Sequence, residues 1–148
     1  MNILVLHGPN LNLLGEREPE IYGTTTMDDI NSHLSRVAEE KNVFLKTFQT
    51  NHEGSLIDHI HTERKWADAI IINPGAFTHY SYSLRDALAA FEKPVYEVHL
   101  TDLLSREDFR KVNVFDGLPN VMRIMGRGAE SYYSALEELV GRVSNPTK

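Results

Sequence analysis

Cysteine is absent from the chain, so disulfides, thiolate metal sites and cysteine nucleophiles are all excluded. Basic charge is not in excess either. The 15 Lys and Arg stand against 21 Asp and Glu, a net charge of −6, which leaves no electrostatic footprint for nucleic acid. No apolar run approaches a membrane span, and the start lacks the basic region, apolar stretch and small-residue cleavage site of a secretory signal. A reducing cytoplasmic setting, with neither membrane nor nucleic acid as partner, is the expectation. Repeats and low-complexity tracts are missing too. The 148 residues, 41% hydrophobic, suit one folded domain with a full core.

What is present is an alternation of apolar runs and helical periodicities. Ile3 to Leu6 is continuously apolar, as expected for a strand buried on both faces of a parallel sheet. Val43 to Phe48, Ala69 to Ile72, Pro94 to Leu100 and Asn120 to Met125 supply four more strands. Helices are expected from Thr26, a good N-cap, to about Lys41, then over Glu53 to Trp66, Tyr80 to Phe91 and Ala129 to Val143. A short charged helical stretch is expected over Leu103 to Lys111, and a frayed tail over 144–148. Phe44, Phe48, Phe91 and Phe115 read as core. The pattern predicts a flavodoxin-like, doubly wound sheet of five parallel strands in a single α/β domain.

The connection after the first strand is anomalous. His7-Gly8-Pro9-Asn10 stops the strand, and the chain does not reach the next helix signal until after Tyr22-Gly23. Roughly 15 residues is far longer than the usual βα loop, and such loops are often functional lids. Open α/β sheets place ligands at the carboxyl ends of their strands. Asn10, Asn73, His79 and His99 all fall on that rim, with Arg106 and Arg110 close behind in sequence, and the loop carrying Arg17 and Tyr22 springs from it. Amides, imidazoles and cations with few carboxylates suit a polyhydroxylated organic anion. A helix starting just after His99 would add the backbone N–H groups of Leu100 and Thr101.

Plainer readings compete with these. Arg106 and Arg110, four apart beside Glu107 and Asp108, fit a solvated, ion-paired helix face. Asp86 in mid-helix would ordinarily be a surface carboxylate, and His59 and His61 make a poor metal pair. Gly126-Arg127-Gly128 follows a strand and opens a helix, but the third glycine of a dinucleotide fingerprint is missing. Gly8 to Gly15 lacks the Gly-Lys-Ser/Thr of a P-loop.

Several longer motifs occur in order: Gly8-Pro9-Asn10-Leu11-Asn12-Leu13-Leu14-Gly15, Arg17-Glu18-Pro19-Glu20-Ile21-Tyr22-Gly23, Gln49-Thr50-Asn51-His52-Glu53-Gly54, Ile72-Asn73-Pro74-Gly75-Ala76-Phe77-Thr78-His79, Leu84-Arg85-Asp86-Ala87 and Glu97-Val98-His99-Leu100. Together they resemble the type II 3-dehydroquinate dehydratases, from residue 3 to about residue 110. The resemblance implies a flavodoxin-like fold, no metal or cofactor, and a dodecamer of four trimers. It also implies loss of water from 3-dehydroquinate to give 3-dehydroshikimate, in the shikimate pathway or in quinate breakdown. By the same resemblance Tyr22 is the general base with Arg17 as its lid partner, and Asn10 helps stabilise an enolate through a bound water. His99 is the general acid, oriented by Glu97. Asn73 and the Leu100 and Thr101 backbone hold the substrate carboxylate, His79 and Arg110 hold ring hydroxyls, and Asp86 reaches toward a neighbouring subunit.

The chemistry is consistent with that assignment. A tyrosine, ordinarily near pKa 10, must be brought down by about three units to act as a base near neutrality, roughly 4 kcal/mol of phenolate stabilisation. A fixed arginine cation supplies stabilisation of this kind. The sequence departs from the family at Thr101-Asp102, usually Ser/Thr-Asn, where a carboxylate beside the anion site is expected to weaken binding. It departs again at Lys111-Val112-Asn113, in place of a usual His-Ser pair. A catalytically impaired anion-binding or scaffold protein on the same fold is the alternative these departures motivate.

Overall fold

Strand β1 (Asn2–His7) sits next to the centre of the molecule and sorts its side chains by parity. Ile3 and Val5 point into one core, with Ile30 and Leu34 of one helix and Leu136 and Leu139 of another. Leu4 and Leu6 point into a second core with Leu56, Ile60, Leu84 and Leu88. A strand with both faces covered has no polar side, which is why its sequence is continuously apolar. The computed structural model describes residues 1–144, with side chains to 142.

The remaining elements are α1 (Pro19–Tyr22), α2 (Met27–Glu40), β2 (Phe44–Gln49), α3 (Glu53–Glu63), β3 (Ala69–Asn73), α4 (Tyr82–Phe91), β4 (Val95–His99), β5 (Val121–Met125) and α5 (Glu130–Ser144). The five strands are parallel, in the order β2-β1-β3-β4-β5. The expected doubly wound α/β sheet is therefore present. Connectivity reverses direction between β1 and β3, and a crevice opens there at the strands' carboxyl ends. The expected tail lies outside the described residues except for Ser144, the last residue of α5.

Local chemistry sets the boundaries. Thr26 accepts the Asp29 N–H at 3.0 Å while Asp29 accepts the Thr26 N–H at 3.0 Å, a reciprocal cap that starts α2 where the sequence suggests. The third long helix begins later than its periodicity implies. Gly75–His79 forms a 3-10 turn, and Ser81 then caps α4 by accepting the Leu84 N–H at 3.1 Å. Over 103–111 there is no single helix but two short 3-10 turns, Leu103–Ser105 and Asp108–Lys111, separated by an extended Arg106. Phe44 corrects the core assignment. It is 69% exposed, because β2 is an edge strand covered mainly toward its carboxyl end. Phe91 and Phe115 are buried, and Phe48 is partly buried against the second core.

Glycine is required where β1 and β3 leave the sheet together. The Gly8 N–H donates to the Asn73 carbonyl at 2.8 Å, and a Cβ on Gly8 would lie 2.8 Å from both Pro74 carbonyl atoms. Backbone cannot retreat as a flexible side chain would. Gly8→Ala should therefore cost about 1–3 kcal/mol, read as a lowered melting temperature with displaced rim loops. An unchanged melting temperature would show that the two loops have room to part.

Candidate active site

The crevice is built from loop ends held by backbone and amide contacts. Asn10 adopts a left-handed conformation, φ 69°, and its N–H donates to Asn51 Oδ1 at 3.0 Å. Gln49 Nε2 donates to the Gly8 carbonyl and to Asn51 Oδ1, both at 3.2 Å. The Gln49-to-Asn51 motif thus braces the turn that presents Asn10. Across the switch point Asn73 is buried, its Oδ1 accepting the Gly75 N–H at 3.1 Å. Behind it Tyr132 bonds both the Asn73 side chain and, at 2.9 Å, His7 Nδ1, while His7 Nε2 meets Asn31 Oδ1 at 2.8 Å.

Burial holds His7 neutral, pushing it from 6.5 down to about 4 against the opposing Asn31 bond. The unfolded chain then binds the extra proton between these values. His7 contributes full stability above pH 6.5 and loses about 3 kcal/mol as pH falls toward 4. Melting temperatures should accordingly begin to fall near pH 6.5, ahead of the carboxylates. A flat profile down to about pH 5 would contradict a neutral buried His7.

The long connection carries the short helix α1, and its last residue, Tyr22, turns into the cleft. The Tyr22 hydroxyl accepts a hydrogen bond from Arg106 Nη1 at 2.9 Å. The Arg17 guanidinium carbon lies 4.9 Å from the ring centroid and that of Arg106 5.3 Å. One phenol is therefore bracketed by two fixed cations. No helix starts directly after His99, the next turn beginning only at Leu103. Leu100 and Thr101 instead run along the cleft wall in irregular backbone, and Asp102 caps the next turn by accepting the Leu104 N–H at 3.0 Å. Asp102 does not line the cleft, so the expected carboxylate beside the anion site is directed elsewhere.

At the end of β4, His99 Nε2 lies 2.8 Å from Glu97 Oε1. Glu97 is fully buried. Burial alone would raise its pKa, but the hydrogen bonds and charges of His99 and Arg123 outweigh it and hold the carboxyl down to about 2. His79 donates Nδ1–H to the Val112 carbonyl at 2.7 Å. Burial lowers its pKa, as do the charges of His99 and Arg110, so it presents a neutral imidazole with Nε2 left as acceptor. The cleft encloses about 560 Å³ including its mouth, and no carboxylate lines it. Among the described residues no group of three or more His, Asp or Glu is arranged to hold a metal ion, and no helix is long and apolar enough to cross a membrane.

Residues 1–140 match the family model described as dehydroquinase class II. The chain belongs to the class II dehydroquinase family. The 3-dehydroquinate dehydratase of Dictyoglomus turgidum is 52% identical over 139 residues, covering 94% of this chain and 95% of that protein. The 3-dehydroquinate dehydratase of Prochlorococcus marinus is 50% identical over 141 residues, covering 95% of each chain. The crystal structure of the type II dehydroquinase from Butyrivibrio crossotus superposes with a TM-score of 0.90 at 41% identity, covering 94% of this chain and 97% of that one.

In this chain the cleft gathers Asn10, Arg17, Tyr22, Asn73, His79, His99, Leu100, Thr101 and Arg110. Glu97 sits behind His99 rather than in the cleft, and Asp86 lies on the exposed side of α4, away from this chain's cleft. For Arg106, placed near the rim by the sequence but given no role, the competing reading is a solvated, ion-paired helix face. Its side chain is only 13% exposed and reaches Tyr22. The i, i+4 spacing misleads here because no continuous helix joins Arg106 to Arg110. Thr78 is also missed. Its hydroxyl donates to Glu97 Oε1 at 3.0 Å, a pairing invisible across 19 residues of sequence. The Gly126-Arg127-Gly128 turn has a structural use, donating the Gly126 and Gly128 N–H groups to the His99 and Leu100 carbonyls.

Proposed function

We propose that this chain eliminates water from 3-dehydroquinate to give 3-dehydroshikimate, with Tyr22 as base and His99 as acid. The carrying observation is the Tyr22 hydroxyl bonded to Arg106 and flanked by Arg17, in the same cleft that His99 lines. The substrate in the relatives' names is a β-hydroxy ketone bearing a carboxylate. Three arginines, and no carboxylate among the described residues, line the cleft, which suits that anion. The Tyr22 oxygen takes the proton next to the carbonyl and leaves an enolate. Asn10 stands on the rigid rim to stabilise the enolate through a water.

The enolate then expels the β-oxygen. His99 donates a proton to it, so the carbon–oxygen bond breaks with water as the leaving group. Glu97, fixed as an anion, bonds His99 Nε2 and orients the ring. With Nε2 engaged by Glu97, Nδ1 is the atom left for the cleft. The cycle ends with neutral phenol and neutral imidazole, and one proton passes from the first to the second through solvent. Asn73 with the Leu100 and Thr101 backbone holds the carboxylate, and His79 Nε2 and Arg110 take ring hydroxyls. Asp86 serves a neighbouring copy in a dodecamer of trimers. The test is growth of the conjugated enone's ultraviolet absorbance when 3-dehydroquinate meets purified protein, with Tyr22→Phe alongside. Binding by calorimetry without absorbance change would favour a non-catalytic anion-binding protein instead.

A further inference from the structure

Two residues between Arg110 and Gly128 reach the carboxylate behind His99. Asn113 Nδ2 donates to Glu97 Oε1 at 2.6 Å. Its amide cannot rotate freely, because Asn113 Oδ1 accepts the Phe115 N–H at 2.8 Å. Arg123, on β5, donates Nε–H to Glu97 Oε2 at 2.8 Å and is held from its other side by Asp116 Oδ1 at 2.6 Å. Asp116 in turn sits on a turn clamped by Arg85 Nη1, which bonds the Val114 and Asp116 carbonyls at 2.6 and 2.8 Å. With Thr78 and His99 included, Glu97 Oε1 receives three donors and Oε2 one. The alternating row is Asp116 anion, Arg123 cation, Glu97 anion, His99 imidazole.

We infer that Arg123, with Asp116 behind it, is a positioning residue that sets how strongly Glu97 holds the proton of His99. A lone buried carboxylate beside an imidazole retains its proton tightly and makes a poor acid. A guanidinium on the far oxygen withdraws part of that attraction, so the imidazolium gives its proton up more readily while Glu97 still orients the ring. Asn113 and Thr78 are neutral donors and hold the carboxylate in place without altering the charge balance. The groups that face His99 across the cleft are His79, Arg17, Tyr22, Arg106 and Arg110, and substitution at Arg123 touches none of them. The role rests on His99 as the acid, but its physical core, the coupling of Arg123 to the imidazole through Glu97, stands apart from turnover.

The experiment is an NMR titration of the His99 ring, assigned by loss of its signal in His99→Gln, in wild type, Arg123→Met, Arg123→Lys and Asp116→Asn. Loss of the cation should carry the His99 midpoint up by about one pH unit, the lower end for a charge one residue removed. Arg123→Lys should restore most of the difference, and Asp116→Asn should move the midpoint the opposite way by less. In parallel, kcat at neutral pH should fall about tenfold in Arg123→Met with KM within about twofold, since Arg123 does not line the cleft. Should Arg123→Met not fold, Asp116→Asn, altered on an exposed side chain, decides by the direction of its shift. Midpoints that stay put in folded variants would overturn the coupling. A midpoint that moves in a protein without dehydratase turnover would leave the coupling standing and remove the assignment of His99 as acid.

Discussion

Tyr22→Phe is expected to lower kcat by about a thousandfold, within the range typical of losing a positioned base, while KM changes by no more than a few-fold. The reasoning starts from what the hydroxyl does structurally, which is little. It accepts one hydrogen bond, from Arg106, at the surface of the cleft, and the ring's contacts survive in phenylalanine. The melting temperature should therefore hold, separating chemistry from folding. Substrate affinity should hold as well, because the partners proposed for the anion are Asn73, His79 and Arg110, none of which Tyr22 bonds. What disappears is the atom proposed to take the proton. The measurement is enone absorbance across a range of 3-dehydroquinate concentrations. A variant that keeps a tenth or more of wild-type kcat, by the usual scale for such groups, would move the base elsewhere.

How much of this was legible beforehand follows from which forces act locally. The sheet was readable because burial on both faces leaves an unmistakable apolar run at Ile3–Leu6 and again at Ala69–Ile72, and because Thr26 and Asp29 announce a helix start chemically. The rim was readable from topology alone, since parallel strands send Asn10, Asn73 and His99 to one edge. Phe44 misled because strand sequence does not say which strand is last in the sheet. Arg106 misled because charge beside charge at helical spacing looks solvated, and only the break between two 3-10 turns turns it inward. The contacts of Glu97 were out of reach. They bring together Thr78, Asn113 and Arg123, each on a different segment, and no short-range pattern encodes a three-way meeting.

That last point bears on the two arginines at Tyr22, which contact it in different ways. The resemblance makes Arg17 the partner of the base, yet the hydrogen bond comes from Arg106, and Arg17 meets only the ring face. A unit charge at ~4–5 Å interacts by about 3–4 kcal/mol at an effective dielectric near 20, and less where water screens it. Each arginine has a carboxylate beside it, Glu18 at 3.6 Å from Arg17 and Glu107 at 3.7 Å from Arg106, but Arg17's side chain is 38% exposed and Arg106's only 13%, so water screens Arg17 more. Arg106→Met should thus cost kcat more than Arg17→Met, about a hundredfold against about tenfold, in line with losing one oriented donor to a developing charge. The double variant should lose less than the product of the two, since both act on one oxygen and its ring. Steady-state kinetics on the three variants reads this directly. If Arg17→Met proved the more damaging in kcat, the lid cation and not the hydrogen-bonded one would be the activator of Tyr22. If either variant raised KM with kcat intact, that arginine would belong to binding alone.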